Sequence, residues 1–173
     1  IHWEQVRRGE ETLEDFVAGL NPAELDAITR GEGKMRSSLG VDGNAGILGG
    51  TTEGLREKGV PVVTTTDGPA GIRISYSTSL LPCGTALACS WNPALVEKMG
   101  QLFGAEMAHY GTDILLGPGM NIHRDPLGGR NFEYYSEDPL TSGLFAAATV
   151  KGIQSMGIAA CIKHFCANNR ENH

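Results

Sequence analysis

The chain has 173 residues, a formal net charge of -6 and 40% hydrophobic residues. That length supports one compact domain with a real core and is too short for two large ones. The acidic balance excludes the basic patch of a nucleic-acid groove, and no apolar run is long enough to cross a membrane as a helix.

Residues 1–50 read as a lead-in of helix and loop. The chain opens on Ile1 with no charged and apolar leader, so the expectation is a cytoplasmic protein, or a secreted one where a leader precedes. Asn21, Pro22 and Glu24 form an N-cap, a first-turn proline and a box-like glutamate, which predicts a helix to about Arg30. The Gly- and Ser-rich stretch from Gly31 to Gly50 predicts a loop. Thr52 to Lys58 predicts a helix that Gly59 ends.

From Val60 a rhythm sets in. Val60 to Thr66 is a β-branched run suited to a strand. Asn92-Pro93 opens a helix with Leu95, Val96, Met99, Leu102 and Phe103 at helical spacing, and Gly111 ends it. Asp113 to Leu116 supplies a second strand. Asp138-Pro139 opens the next helix, with Leu144, Phe145, Ala148 and Ile153 on one side, and Ile158 to Ile162 gives a third strand. Apolar strands alternating with helices predict an α/β fold, a parallel sheet covered by helices. The long connections run from strand to helix, at the strand C-termini where such folds build their sites. A closed eight-stranded barrel takes about 250 residues, so 51–173, with three strands, reads as the first part of one. A slice of that kind leaves sheet edges open. The remainder of the polypeptide, a complementary fragment or a homo-oligomer would cover them.

Cys83, Cys89, Cys161 and Cys166 form no C-x-x-C pair and read as buried reduced thiols. His123 with Asp125, or His164 with His173, could ligate a metal in principle, but neither spacing fits a strong template. The expectation is no metal and no cofactor.

Each strand ends in polar residues that are costly to bury unless used or paired. The first delivers Asp67 and Arg73. The second runs through Asn121, His123, Arg124 and Asp125. The third ends in Lys163 and His164. Carboxylates that accept and Arg, Lys and His that donate suit a polyol. In the dense stretch from Gly128 to Pro139, Asp138 reads as a helix cap and Glu133 as an orienting partner of Arg130. Phe132, Tyr134 and Tyr135 either wall the pocket or belong to the core.

Asp67-Gly68-Pro69-x-Gly71-Ile72-Arg73, Gly117-Pro118-x-Met120-Asn121-Ile122, Gly129-Arg130-Asn131-Phe132-Glu133-Tyr134-Tyr135-Ser136-Glu137-Asp138-Pro139 and Lys163-His164-Phe165 resemble glycoside hydrolase family 3. The resemblance implies a TIM-like barrel and a retaining enzyme that releases terminal non-reducing β-D-glucosyl residues from small β-glucosides or oligosaccharides. It also implies that Asp67, Arg130, Lys163 and His164 bind the sugar, with Arg73 in support. The segment Arg130 to Ser136 and the Asn168-Asn169 pair resemble β-glucosidases more than β-xylosidases or the N-acetylglucosaminidase branch. A non-catalytic carbohydrate-binding protein, or a barrel acting on phosphorylated sugars, is the reading from another class.

The family's nucleophile is an Asp, commonly just before a Trp. Here Trp3 follows His2 and Trp91 follows Ser90, so neither catalytic carboxylate is identified in these residues. Chain 1–173 on its own is therefore expected to give no turnover of an aryl β-glucoside. Sustained release of the aryl alcohol would contradict that expectation.

Overall fold

The computed structural model describes residues 1–171. The chain divides into two compact units, Ile1–Thr65 and Thr66–His173. The first holds α1 (Trp3–Arg7), α2 (Leu13–Ala18), α3 (Pro22–Arg30), β1 (Gly46–Gly49) and α4 (Glu53–Glu57), and β2 (Val62–Thr66) runs out of it. The second holds α5 (Gly84–Ala88), α6 (Pro93–Tyr110), β3 (Ile114–Leu115), a 3-10 turn (Asn131–Glu133), α7 (Pro139–Gln154) and β4 (Ala159–Ala160).

In the first unit Phe16, Leu20, Ala27, Leu55 and Val60 form the core, with Trp3 edge-on to Phe16 at a centroid distance of 5.5 Å. The capping box at α3 is present: Asn21 accepts from Glu24 N–H, and Glu24 accepts from Asn21 N–H, both at 2.9 Å. The stretch predicted as a loop contains a strand instead. Gly46–Gly49 pairs antiparallel with β2, Ile47 opposite Thr64. Only two apolar side chains stand between its glycines, too few to show a period, and its partner strand lies beyond α4. Buried Asn44 orders the approach to β1. Its amide oxygen accepts from Ser37 and Gly46 N–H, and its nitrogen donates to the Ser37 and Val41 carbonyls.

In the second unit the strand–helix–strand order is as predicted, with each strand shorter than its apolar run. β3 and β4 pair in parallel, Ile114 with Ala159 and Leu115 with Ala160. Leu116 N–H donates to Thr66 O at 2.8 Å. Both long helices start as the sequence dictates: Asn92 caps α6 through Leu95 N–H, Asp138 caps α7 through Thr141 N–H, and a proline follows each cap. Gly111, in the left-handed region at φ 71, closes α6.

Val96, Phe103, Met107, Phe145, Ala148 and Ile153 are buried, but Leu95, Leu102 and Leu144 are exposed. Each of these leucines precedes a buried residue by one position, about 100° round the helix, and so lies on the flank of the packed face. The thiols also differ from expectation. Cys83 is half-buried and Cys89, Cys161 and Cys166 are exposed, all free. Cys89 caps the end of α5, and Cys161 and Cys166 lie on a segment after β4 that is exposed along most of its length.

The two long helices meet through glycines. A Cβ on Gly152 would stand 2.1 Å from the Glu97 carbonyl oxygen, and one on Gly100 would stand 2.5 Å from that of Thr149. Helix backbone cannot yield as a side chain can. Alanine in a helix favours folding by about 1 kcal/mol over glycine, whereas overpacking costs about 1–3 kcal/mol. Gly152→Ala is therefore expected to lower the urea midpoint. Gly143→Ala in the same helix, where a Cβ meets nothing within 4 Å, should raise it or leave it unchanged. Equal shifts for the two would contradict the close-packing account.

Candidate functional site

The turn after β2 doubles back at once: Arg73 N–H donates to Asp67 O at 2.8 Å, and the two residues form a bridge. That tight reversal needs glycine at 68, where φ is 119 and a Cβ would stand 1.8 Å from the Gly71 carbonyl oxygen. Buried Ile72 anchors the turn. Beyond β3 and β4 the two backbones stay in register, with Lys163 N–H donating to Pro118 O and Met120 N–H donating to Lys163 O. Lys163 is thereby brought to Asp67 from 96 positions away in sequence, Nζ to Oδ1 at 2.8 Å.

The 3-10 turn supplies the rest. Arg130 Nε donates to Glu133 Oε1, whose side chain keeps 3% of its surface, and Glu133 Oε2 lies 3.7 Å from Lys163 Nζ. Arg73 pairs with the other oxygen of Asp67, and Glu171 lies 3.8 Å from Arg130. The result is one linked cluster. Arg73, Arg130 and Lys163 face Asp67, Glu133 and Glu171, and the charges balance.

Several groups hold the turn in place. His123 Nε2 lies 2.8 Å from Asn131 O and 3.2 Å from Tyr134 O. Carbonyls only accept, so that nitrogen carries the proton. Thr85 Oγ1 donates to the same two carbonyls, and Asn131 Nδ2 donates to Asp125 O. Asp125 Oδ1 accepts from Leu127 N–H. His123 and Asp125 thus support the loop. His173 lies outside the described residues. Among the described residues no group of three or more His, Cys, Asp or Glu side chains could hold a metal ion.

His164 is fixed through its backbone. Asn121 Oδ1 accepts from His164 N–H at 2.7 Å, and Asn121 Nδ2 donates to His164 O at 3.3 Å. The Tyr134 hydroxyl lies 3.0 Å from His164 Nδ1 and accepts from Asn168 Nδ2 at 3.0 Å. Lys163 and His164 also line a cavity of about 360 Å³ with Met120, Asn121, Ile122 and Ser142. The three aromatics that composition could not separate fall into three places. Tyr134 is buried against His164, Tyr135 is core with its hydroxyl on Thr149, and Phe132 is exposed.

Charge follows from these contacts. Burial would raise the Asp67 carboxyl, but the Lys163 hydrogen bond and charge, the Gly68 N–H and the Arg73 charge together bring it below its ordinary value. The stability this contributes is fully present above the unfolded carboxylate value and is lost as pH falls through the lowered folded value. Burial and the charges of Arg130 and Lys163 lower His164, against the opposing pull of Glu133 and Glu171. Burial pushes the Tyr135 hydroxyl up to about 12, partly offset by Thr149.

The structure therefore brings Asp67, Arg73, Arg130, Lys163 and His164 to one place. Three roles emerge only in the fold: Asn121 clamps the His164 backbone, Tyr134 contacts its ring, and Asn168 donates to the Tyr134 hydroxyl. Asn121 and the Asn168-Asn169 pair stand inside recognisable motifs, but nothing in their spacing assigns them to the histidine.

Fold and site define an α/β protein with a polar, charge-balanced cluster at its strand ends. The family model described as "Glycosyl hydrolase family 3 N terminal domain" matches residues 28–173. The chain is 45% identical over 170 residues to a β-glucosidase of Ruminococcus albus, covering 97% of the chain and 18% of that protein. A solved β-glucosidase from Paenibacillus barengoltzii superposes with a TM-score of 0.92 at 48% identity, over 98% of this chain and 18% of that one. β-Glucosidase 3B from Thermotoga neapolitana, solved in complex with α-D-glucose, gives 0.76 at 41% identity, over 93% and 24%. The chain belongs to glycoside hydrolase family 3, within its N-terminal domain, and its fold is part of a TIM-like barrel.

Glu133 is the buried counter-ion of the cluster. Removing one partner of a buried pair costs about 3–5 kcal/mol. Arg130 keeps about a third of its side-chain surface, so Glu133→Gln is expected to cost about 3 kcal/mol, read as a drop in the urea midpoint. A midpoint within experimental error of the native protein would remove Glu133 from that role.

Proposed function

We propose that this chain forms the sugar-binding side of a retaining β-glucosidase that releases terminal non-reducing β-D-glucosyl residues. The observation that carries the reading is the balanced cluster. An anionic ligand would need surplus positive charge, whereas a neutral polyol needs acceptors and donors side by side. Asp67 accepts from sugar hydroxyls, and Arg130, Lys163 and His164 donate to others. Arg73 supports Asp67 from the outside. Family membership and a glucose-bound relative support glucose as the sugar.

In this reading the chain works within a longer polypeptide, in line with its 18% share of the Ruminococcus protein. One carboxylate outside these residues attacks the anomeric carbon as the glycosidic bond breaks. A second protonates the departing oxygen and then takes a proton from the water that releases the sugar. Contacts to hydroxyls near the anomeric centre strengthen as positive charge develops on the ring.

Asp67→Asn keeps the shape and removes the charge. A hydrogen bond to a charged group contributes about 1.5–3 kcal/mol, so kcat/KM for an aryl β-D-glucoside is expected to fall roughly 10- to 150-fold in the intact polypeptide. Unchanged kcat/KM would take Asp67 out of the sugar site. Absence of β-glucosidase activity in the native protein would overturn the reading as a whole.

A further inference from the structure

We propose that Tyr134 is a positioning residue that fixes His164 in the Nε2–H tautomer, so that its imidazole presents a hydrogen-bond donor to the bound sugar. Only the identity of the ligand rests on the β-glucosidase reading; the tautomer follows from the contacts around the ring.

Donor and acceptor capacity around the ring decides the tautomer. Asn168 Nδ2 can only donate, and it lies 3.0 Å from the Tyr134 oxygen. The phenol oxygen is therefore the acceptor on that side. Its single hydrogen is left to point elsewhere, and His164 Nδ1 stands 3.0 Å away. Nδ1 accepts only when unprotonated, and a neutral imidazole then carries its hydrogen on Nε2. The ring cannot swing to another partner easily. Asn121 grips the His164 peptide groups on both sides, and the Tyr134 ring meets the imidazole edge-on, 75° between planes with centroids 6.0 Å apart.

The charged surroundings favour a neutral ring. Burial opposes a second proton, and so do Arg130 and Lys163, while Glu133 and Glu171 act the other way; the balance lies with the neutral form. The phenol is itself held as a donor, because burial raises Tyr134 above its ordinary value, against the opposing Asn168 bond and Arg130 charge. A neutral Nε2–H beside the two cations adds a directional donor without adding charge, which suits a hydroxyl oxygen. The reverse relay would have Asn168 turned over and Nδ1–H donating to the phenol. It would leave Nε2 as an acceptor.

Nitrogen chemical shifts separate the two. The intact polypeptide is labelled with 15N-histidine, His164 is assigned by its loss in His164→Gln, and long-range 1H–15N correlations are recorded near neutral pH without sugar. The native protein is expected to show Nδ1 in the unprotonated range and Nε2 in the protonated range. Tyr134→Phe keeps the ring and removes the hydroxyl, and should shift His164 toward a mixture of tautomers. The inhibition constant for glucose should rise about tenfold in this variant, the order expected for one well-formed hydrogen bond. A proton on Nδ1 in the native protein would overturn the proposal, as would shifts that Tyr134→Phe leaves in place. A changed tautomer with unchanged glucose inhibition would overturn the donor role. Should Tyr134→Phe fail to fold, the native spectrum alone decides the tautomer. Should glucose not bind the native protein while the tautomer is as stated, the β-glucosidase reading fails and the relay stands.

Discussion

Lys163 sits between two carboxylates that the sequence places far apart. Asp67 comes from the turn after β2, and Glu133 comes from the 3-10 turn before α7. A lysine side chain that keeps only 14% of its surface is costly to bury unless its amine is paired, and these two carboxylates pair it. The pairing therefore requires the β2 turn, the extension of β4 and the 3-10 turn to meet. Much of the second unit can be understood as serving that meeting. The glycine reversal at 68 turns Asp67 inward, the parallel register carries Lys163 past β4, and His123, Thr85 and Asp125 hold the turn that bears Arg130 and Glu133.

The same constraint shapes the chemistry. A closed set of ion pairs is a poor place for a free charge and a good place for hydroxyls, which donate and accept at once. Asp67 already lies between two cations that favour its ionised form, which in the proposed site makes it the acceptor for a sugar hydroxyl. The donors around it are fixed by packing and by one another, which limits the rearrangement that binding demands. His164 fits this pattern as a neutral donor whose direction is set by Asn121 and Tyr134.

What the sequence revealed and what it hid divide along a physical line. Local signals were legible: the caps at Asn21, Asn92 and Asp138 depend on residues within one turn, and Asp67, Arg130, Lys163 and His164 stand in motifs of fixed order. Non-local pairing was not. β1 has too few side chains to show a period and finds its partner beyond α4. Leu95, Leu102 and Leu144 share the helical spacing of buried neighbours because spacing marks a broad face, while packing through Gly100 and Gly152 uses a narrow one. Phe132, Tyr134 and Tyr135 look alike as a run. A 3-10 turn, which composition does not announce, decides which of them faces His164.

A crystal structure of the intact polypeptide with glucose bound would show whether this cluster holds the sugar. The sugar ring is expected over the second unit's strand ends, with its hydroxyls within hydrogen-bond distance of the Asp67 carboxylate, Arg130, Lys163 and His164 Nε2. A glucose bound elsewhere, with the Asp67–Lys163–Glu133 cluster closed and untouched by sugar, would contradict it.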